Sequence, residues 1–279
     1  MEFPEFIEFL AKESKNNLMP AGIPRSQILD DDLEHKYLLF TGQLYQITPY
    51  LDSVRELLEK YEHYEENLFS FYKLLKGNTW IFIKPNKEKL ERYREIVKKA
   101  YASLKRKIDI GYDFSIDYYS GVIFYDLGSK LFVQYAKEMI KKLKGKRLVT
   151  LDPHTTYALK ILYKKVDPSF DAEVHHYTDF IPIPDLKDYA DHESCYLTRY
   201  LKININSNAS KPLTSGNEMM CCGGPIEFVS PRLATEIAKI RVDQLLSTGK
   251  SKIVVWCPIC LSNLSRVNKA EVKDFLELI

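Results

Sequence analysis

No cysteine occurs before Cys195 in this 279-residue chain, and no apolar run approaches the length that spans a bilayer. A membrane-crossing helix needs about 20 consecutive apolar residues, so any membrane contact is expected to come through a partner. Charge of one sign is also missing: 40 Lys and Arg stand against 38 Asp and Glu, with no long basic stripe. The electrostatic footprint of a nucleic-acid binder is therefore absent. The chain opens Met1-Glu2-Phe3-Pro4-Glu5, acidic where a secretory leader would be basic, and the expectation is a cytoplasmic protein. Neither a G-x-G-x-x-G turn nor a P-loop is present, which argues against flavin or nucleotide binding by this chain.

What is present is concentrated chemistry. All five cysteines, Cys195, Cys221, Cys222, Cys257 and Cys260, fall in the last third of the sequence. An odd number with an adjacent pair and a C-x-x-C does not suit a disulfide framework, whereas metal or cluster binding does. Thiolates are soft ligands that select zinc, copper(I) or iron–sulfur clusters. Structural zinc takes four ligands, so five thiolates from three loops favour a cluster over a single zinc ion. Two of the loops precede helices. Lys252–Trp256 reads as a strand, followed by Cys257-Pro258-Ile259-Cys260 and a helix, and Cys221-Cys222-Gly223-Gly224 precedes a helix over 231–246. Unpaired N–H groups at a helix start stabilise anionic sulfur. The glycines let the backbone approach a bulky inorganic group.

The rest of the chain reads as α/β. Residues 1–35 are expected to be a helical or irregular extension. A strand is expected over Lys36–Gly42, helices over Tyr50–Tyr64 and Lys87–Lys107, and a short strand over Trp80–Ile83. From there the pattern runs twice. Tyr118-Tyr119-Ser120-Gly121, a helix over 129–143, Gly145, a strand over 147–151 and Asp152-Pro153-His154-Thr155 repeat the order of turn, helix, glycine, strand and x-Pro-x-x of the second pass, without its thiols. This predicts two related units, 36–185 and 186–279, each a small, mainly parallel sheet flanked by helices.

Cys195, Cys221-Cys222-Gly223 and Cys257-x-x-Cys260 together resemble the CCG domain of the disulfide-reducing subunit of heterodisulfide reductases. The same domain occurs in iron–sulfur subunits of glycolate, lactate and glycerol-3-phosphate oxidising enzymes. The segment from Asp191 to Leu201 is similar to the strand and turn carrying the family's first cysteine, although the gap from Cys195 to Cys221 is shorter than usual. The resemblance implies a non-cubane [4Fe-4S] cluster held by the five cysteines, with an ordinary cube on four of them or zinc as competitors. It implies an oxidoreductase subunit that exchanges electrons with a thiol or disulfide, a small molecule or lipoate-bound sulfur. A ferredoxin-like cluster subunit and a flavoprotein are the implied partners. Two other readings stand beside it: a pure electron-transfer subunit of a flavin-dependent dehydrogenase, and a scaffold around structural zinc. In the first unit Gln43, Tyr118-Tyr119-Ser120-Gly121 and Asp152-Pro153-His154-Thr155 stand where the motif would fall, so one cluster is expected instead of two.

The remaining candidates are weaker. His192, three residues before Cys195, would orient the cluster or deliver a proton, or simply pack beside it. Arg199 would steady an anionic group or lie exposed, and His154 would cap a turn. His175-His176 is expected as a solvated strand end after a strand over Asp171–Val174.

Overall fold

The computed structural model describes residues 18–20, 23–60, 84–227 and 229–279. The expected strand Trp80–Ile83, the last residues of the expected Tyr50–Tyr64 helix and most of the N-terminal extension lie outside these.

Two parallel sheets organise the chain. The first holds β1 (Tyr37–Phe40), β2 (Ile110–Tyr112), β3 (Arg147–Thr150) and β4 (Glu173–His176) in the order β2-β1-β3-β4. The second holds β5 (Tyr189–His192), β6 (Lys252–Val255) and β7 (Glu271–Asp274) in sequence order. The central strands carry buried apolar runs, Leu39-Phe40, Leu148-Val149 and Ile253-Val254-Val255, as expected for parallel strands covered on both faces. The registers bring out the repeat. Phe40 pairs with Thr150 and Thr150 with His176, as His192 pairs with Val255 and Val255 with Asp274. β2 lies parallel beside β1, and in the second unit Ser210 makes a parallel bridge to Ala190 in the same relation to β5.

Helices cover the sheets. α1 (Leu44–Lys60) begins before the expected Tyr50 and runs through Pro49. α2 (Lys87–Lys105) starts where Asn86 accepts from the Lys89 amide, and buries Tyr93, Ile96, Val97, Ala100 and Leu104 at helical spacing. α3 (Val122–Asp126) and α4 (Phe132–Leu143) follow, the latter starting later than expected. α5 (Pro153–Tyr157) passes through a π turn, Ala158–Leu162, into α6 (Tyr163–Val166). α7 (Pro231–Leu246) has Ser230 as its cap and Pro231 in its first turn, and α8 (Pro258–Ser265) is capped by Cys257. β4 is shifted two residues from the expected strand, so His175 and His176 lie within it. His175 is flanked by Glu173 and Asp179, but His176 is fully buried rather than solvated, and burial holds its pKa down at about 3.

The two units share a core. Tyr45 of α1 donates to Asp274 Oδ2 at the end of β7 (3.0 Å), and Tyr93 of α2 donates to the Pro258 carbonyl (3.1 Å). Asp274 is fully buried, and burial raises its pKa to about 7. Because the folded value lies above the ordinary carboxylate value, the fold favours the protonated form. Stability then falls as pH rises from about 4 through 7. Asp274→Asn, which keeps an acceptor for the Leu276 amide, is expected to melt above wild type at pH 8 and level with it near pH 4. A difference independent of pH would contradict the assignment.

No helix among the described residues is long and apolar enough to cross a membrane.

Candidate metal centre

Three backbone devices bring the five sulfurs together. Cys195 follows the end of β5 and opens the π turn Tyr196–Tyr200. Cys257 is the N-cap of α8 and Cys260 lies in its first turn, with Pro258 between them filling a position that needs no N–H. Cys221 and Cys222 lie in a loop that turns at Gly223, φ +90°, where an added Cβ would stand 2.6 Å from the Ala234 carbonyl oxygen in α7. Only glycine fits there. Gly224 is tight in a different way, because its Cβ would meet Ile259 beside Cys260.

The sulfurs form a continuous chain of contacts, Cys195 to Cys221, Cys221 to Cys222, Cys222 to Cys260 and Cys260 to Cys257. Cys222, Cys257 and Cys260 are buried, and Cys195 and Cys221 are half-exposed. The centre therefore opens to solvent on the Cys195–Cys221 side. Hydrogen bonds from Cys195, Cys222 and the Gly223 amide pull the Cys221 thiol down to about 2. Burial opposes ionisation of Cys257, but Cys260 and His154 hold it at about 5. Neighbouring sulfurs and burial push Cys195, Cys222 and Cys260 well up. The protein alone thus accommodates two thiolates among five. Ionising the other three takes added positive charge, which a thiophilic metal or cluster brings. The donor set fits such a group.

Buried polar atoms without protein partners, His192 Nε2 and the Asn263 amide, belong to side chains near the sulfurs. A ligand-type nitrogen of His192 lies within 4.8 Å of the Cys222 and Cys260 sulfurs, making a group able to hold a metal ion. His192 is fully buried, its Nδ1 accepts from Arg241 Nε at 3.1 Å, and burial keeps its pKa near 3. Asn263, one helical turn beyond Cys260, is fully buried with neither amide atom paired, and its Nδ2 lies against Gly224. It is not among the candidates named from the sequence, where the spacing of three from Cys260 is the signal that could have found it.

His154 is the residue that sequence reasoning placed in the wrong setting. It belongs to the first unit, yet its Nδ1 lies 3.6 Å from Cys257 Sγ and its ring stacks on Tyr196 at 4.1 Å. Burial works against its charge, but Cys257 and Asp152 hold its pKa up at about 10. Asp152 caps α5 by accepting from the Thr155 amide at 2.9 Å. Arg199 is neither free nor aimed at the sulfurs. It donates to the Asn217 and Met219 carbonyls and so fixes the loop ahead of Cys221.

The corresponding place in the first unit is filled without thiols. Gln43 stands after β1 where Cys195 stands after β5, and Thr155 and Ser120 approach to 3.5 Å where Cys260 meets Cys222. Asp117, fully buried, accepts from the Thr41 amide and hydroxyl, the Gly42 amide, Gln43 Nε2 and the Tyr112 hydroxyl at 2.7 to 3.1 Å.

Residues 189–265 match the CCG cysteine-rich domain family, a stretch that contains all five cysteines. No curated protein matches the chain. The match lies within the second unit and supports a metal-binding, iron–sulfur type of redox role.

Proposed function

We propose that the chain is an iron–sulfur subunit of a heterodisulfide reductase-like complex, exchanging electrons with a thiol or disulfide at a [4Fe-4S] cluster held by Cys195, Cys221, Cys222, Cys257 and Cys260. The observation that carries this reading is the unbroken chain of five sulfurs, three buried and two facing solvent. Five thiolates exceed the four corners of a cube, which favours a non-cubane arrangement.

When bound, such a cluster supplies one-electron chemistry at sulfur. The chain's own groups do the rest. The start of α8 and the Gly223 amide place N–H groups beside the sulfurs and stabilise their charge. Tyr196, held by its hydroxyl on Asp126, and His154 cover the Cys257 side and keep water from it. The half-exposed Cys195 and Cys221 leave an approach for a sulfur-bearing substrate, bordered by the exposed Tyr200 ring. With one thiol-lined site, the chain depends on redox partners, for which a ferredoxin-like cluster subunit and a flavoprotein subunit are the candidates.

Metal and sulfide analysis of anaerobically purified protein tests this, together with an EPR spectrum after mild oxidation with and without thiol. About four irons per chain and a signal that changes with thiol are expected. A signal indifferent to thiol would point to a pure electron-transfer subunit of a flavin-dependent dehydrogenase. One zinc without iron would leave a structural scaffold and end the redox proposal.

A further inference from the structure

His192 has the position of a metal ligand but not the electrons of one. Its Nδ1 accepts a hydrogen bond from Arg241 Nε at 3.1 Å. A guanidinium has five N–H donors and no acceptor, so Nδ1 must present its lone pair to Arg241. The guanidinium cannot turn away. Arg241 is fully buried, and its Nη1 donates to the Thr214 carbonyl (3.0 Å), the Thr214 hydroxyl (2.9 Å) and Gln244 Oε1 (3.1 Å). In a neutral imidazole with an accepting Nδ1, the proton resides on Nε2. Both ring nitrogens are then closed to a metal, one by its hydrogen bond and the other by its proton. Metal-binding histidines show the opposite arrangement, in which a carboxylate or carbonyl accepts from the outer N–H and frees the inner nitrogen to bind. Here the outer partner is a donor.

Nε2 is buried and has no partner in the protein, while the ring sits among the Cys222 and Cys260 sulfurs. We propose that His192 is not a ligand of the metal centre but a positioning residue, locked by Arg241 as the Nε2–H tautomer, whose Nε2–H is bonded to no cysteine sulfur and is free to donate to a sulfur that the bound group brings beside Cys222 and Cys260. The proposal rests on the reading of the five-cysteine site as a metal centre. An N–H donor stabilises sulfur more as electron density on it grows, so it raises the reduction potential of a cluster bound there.

The test uses the full chain carrying isotope-labelled histidine and loaded with NMR-active cadmium, a diamagnetic thiophilic ion. The expected result is an unprotonated Nδ1, a protonated Nε2 and no scalar coupling between cadmium and either nitrogen, with the assignment made by loss of the signal in His192→Gln. Cadmium–nitrogen coupling at His192, or a proton on its Nδ1, would overturn the proposal. On iron-loaded protein, His192→Leu is expected to retain iron while its reduction equilibrium at a fixed ambient potential moves about tenfold toward the oxidised form, which is 59 mV for a one-electron couple. His192→Gln, which keeps an N–H near the same place, should recover most of that shift. An unchanged potential in His192→Leu would also overturn the proposal. Iron content decides the nature of the centre separately, because the cadmium experiment needs no iron.

Discussion

Arg55→Leu is expected to destabilise the protein by about 3–5 kcal/mol, the range for breaking a buried ion pair by removing one partner. Arg55 is 1% exposed and donates through Nη1 to Asp52 (2.8 Å), Glu227 (3.3 Å) and the Ser262 hydroxyl (3.3 Å). Without it the two buried carboxylates would keep Lys89, which reaches Asp52 at 3.1 Å from the surface, and the more distant charge of Arg266. Glu227 already sits at about 7, raised by burial and by Asp52 against the pull of Arg55. Losing the guanidinium raises the folded Glu227 value further above the unfolded one. The deficit should therefore grow as pH rises above about 5, and be larger at pH 8 than at pH 5. Thermal melts at the two pH values test this, and Glu227→Gln added to Arg55→Leu should restore part of the loss. A deficit equal at both would show that packing rather than charge is at stake. The effect should reach the metal centre too. Glu227 ends the turn after Cys222, and Ser262 lies two residues past Cys260, so Arg55 ties both cysteine segments to α1. Metal affinity should fall about 10- to 100-fold, as for other outer-shell losses.

Gly223→Ala is expected to remove the centre outright. The left-handed backbone costs an L-residue about 1–2 kcal/mol. To this is added a Cβ at 2.6 Å from the Ala234 carbonyl oxygen. That oxygen is main chain within α7 and cannot swing aside as a side chain would. With overpacking at about 1–3 kcal/mol, the sum is about 2–5 kcal/mol, and the relief available is displacement of the cysteine loop. Since the Gly223 amide also reaches Cys221 Sγ at 3.4 Å, metal content should drop with stability. Gly249→Ala is the control. Gly249 has φ +80° with nothing within 4 Å of an added Cβ, so it should lose only the backbone term and keep its metal. Equal metal content in both variants would show that the turn does not position the sulfurs.

Much of this arrangement is legible in the residues. Ser230 and Pro231 announce α7, and its bounds are those read from sequence. The repeat is legible because cap, proline and glycine recur at matching places around Asp152 and Cys257. β7 is not, because Glu271-Val272-Lys273-Asp274 shows one apolar residue and its partners come from β6. β2 is only Ile110-Gly111-Tyr112, and its glycine is required by a close approach to the Asp32 carbonyl that no local pattern announces. At the site, all five cysteines could be nominated by type and spacing. The side chains that hold and shield them could not. Arg241 meets His192 across 49 positions and His154 meets Cys257 across 103. Such contacts are properties of the packed units, and a histidine within a motif that has lost its thiols carries no sign that it faces the other unit.

The filled place in the first unit sets a condition on anyone engineering a second centre into this chain. Exchanging Gln43, Ser120, Asp152 and Thr155 for cysteine would supply thiols but leave the Asp117 carboxylate among them. Its charge repels thiolates, and the four donors left after Gln43 is exchanged, the Thr41 amide and hydroxyl, the Gly42 amide and the Tyr112 hydroxyl, hold it in place. Grafting must therefore begin at Asp117, replaced by a neutral residue before any cysteine is introduced. The Asp152 exchange would also remove the carboxylate that caps α5 by accepting from the Thr155 amide, a bond the Cys257 side chain does not make in α8.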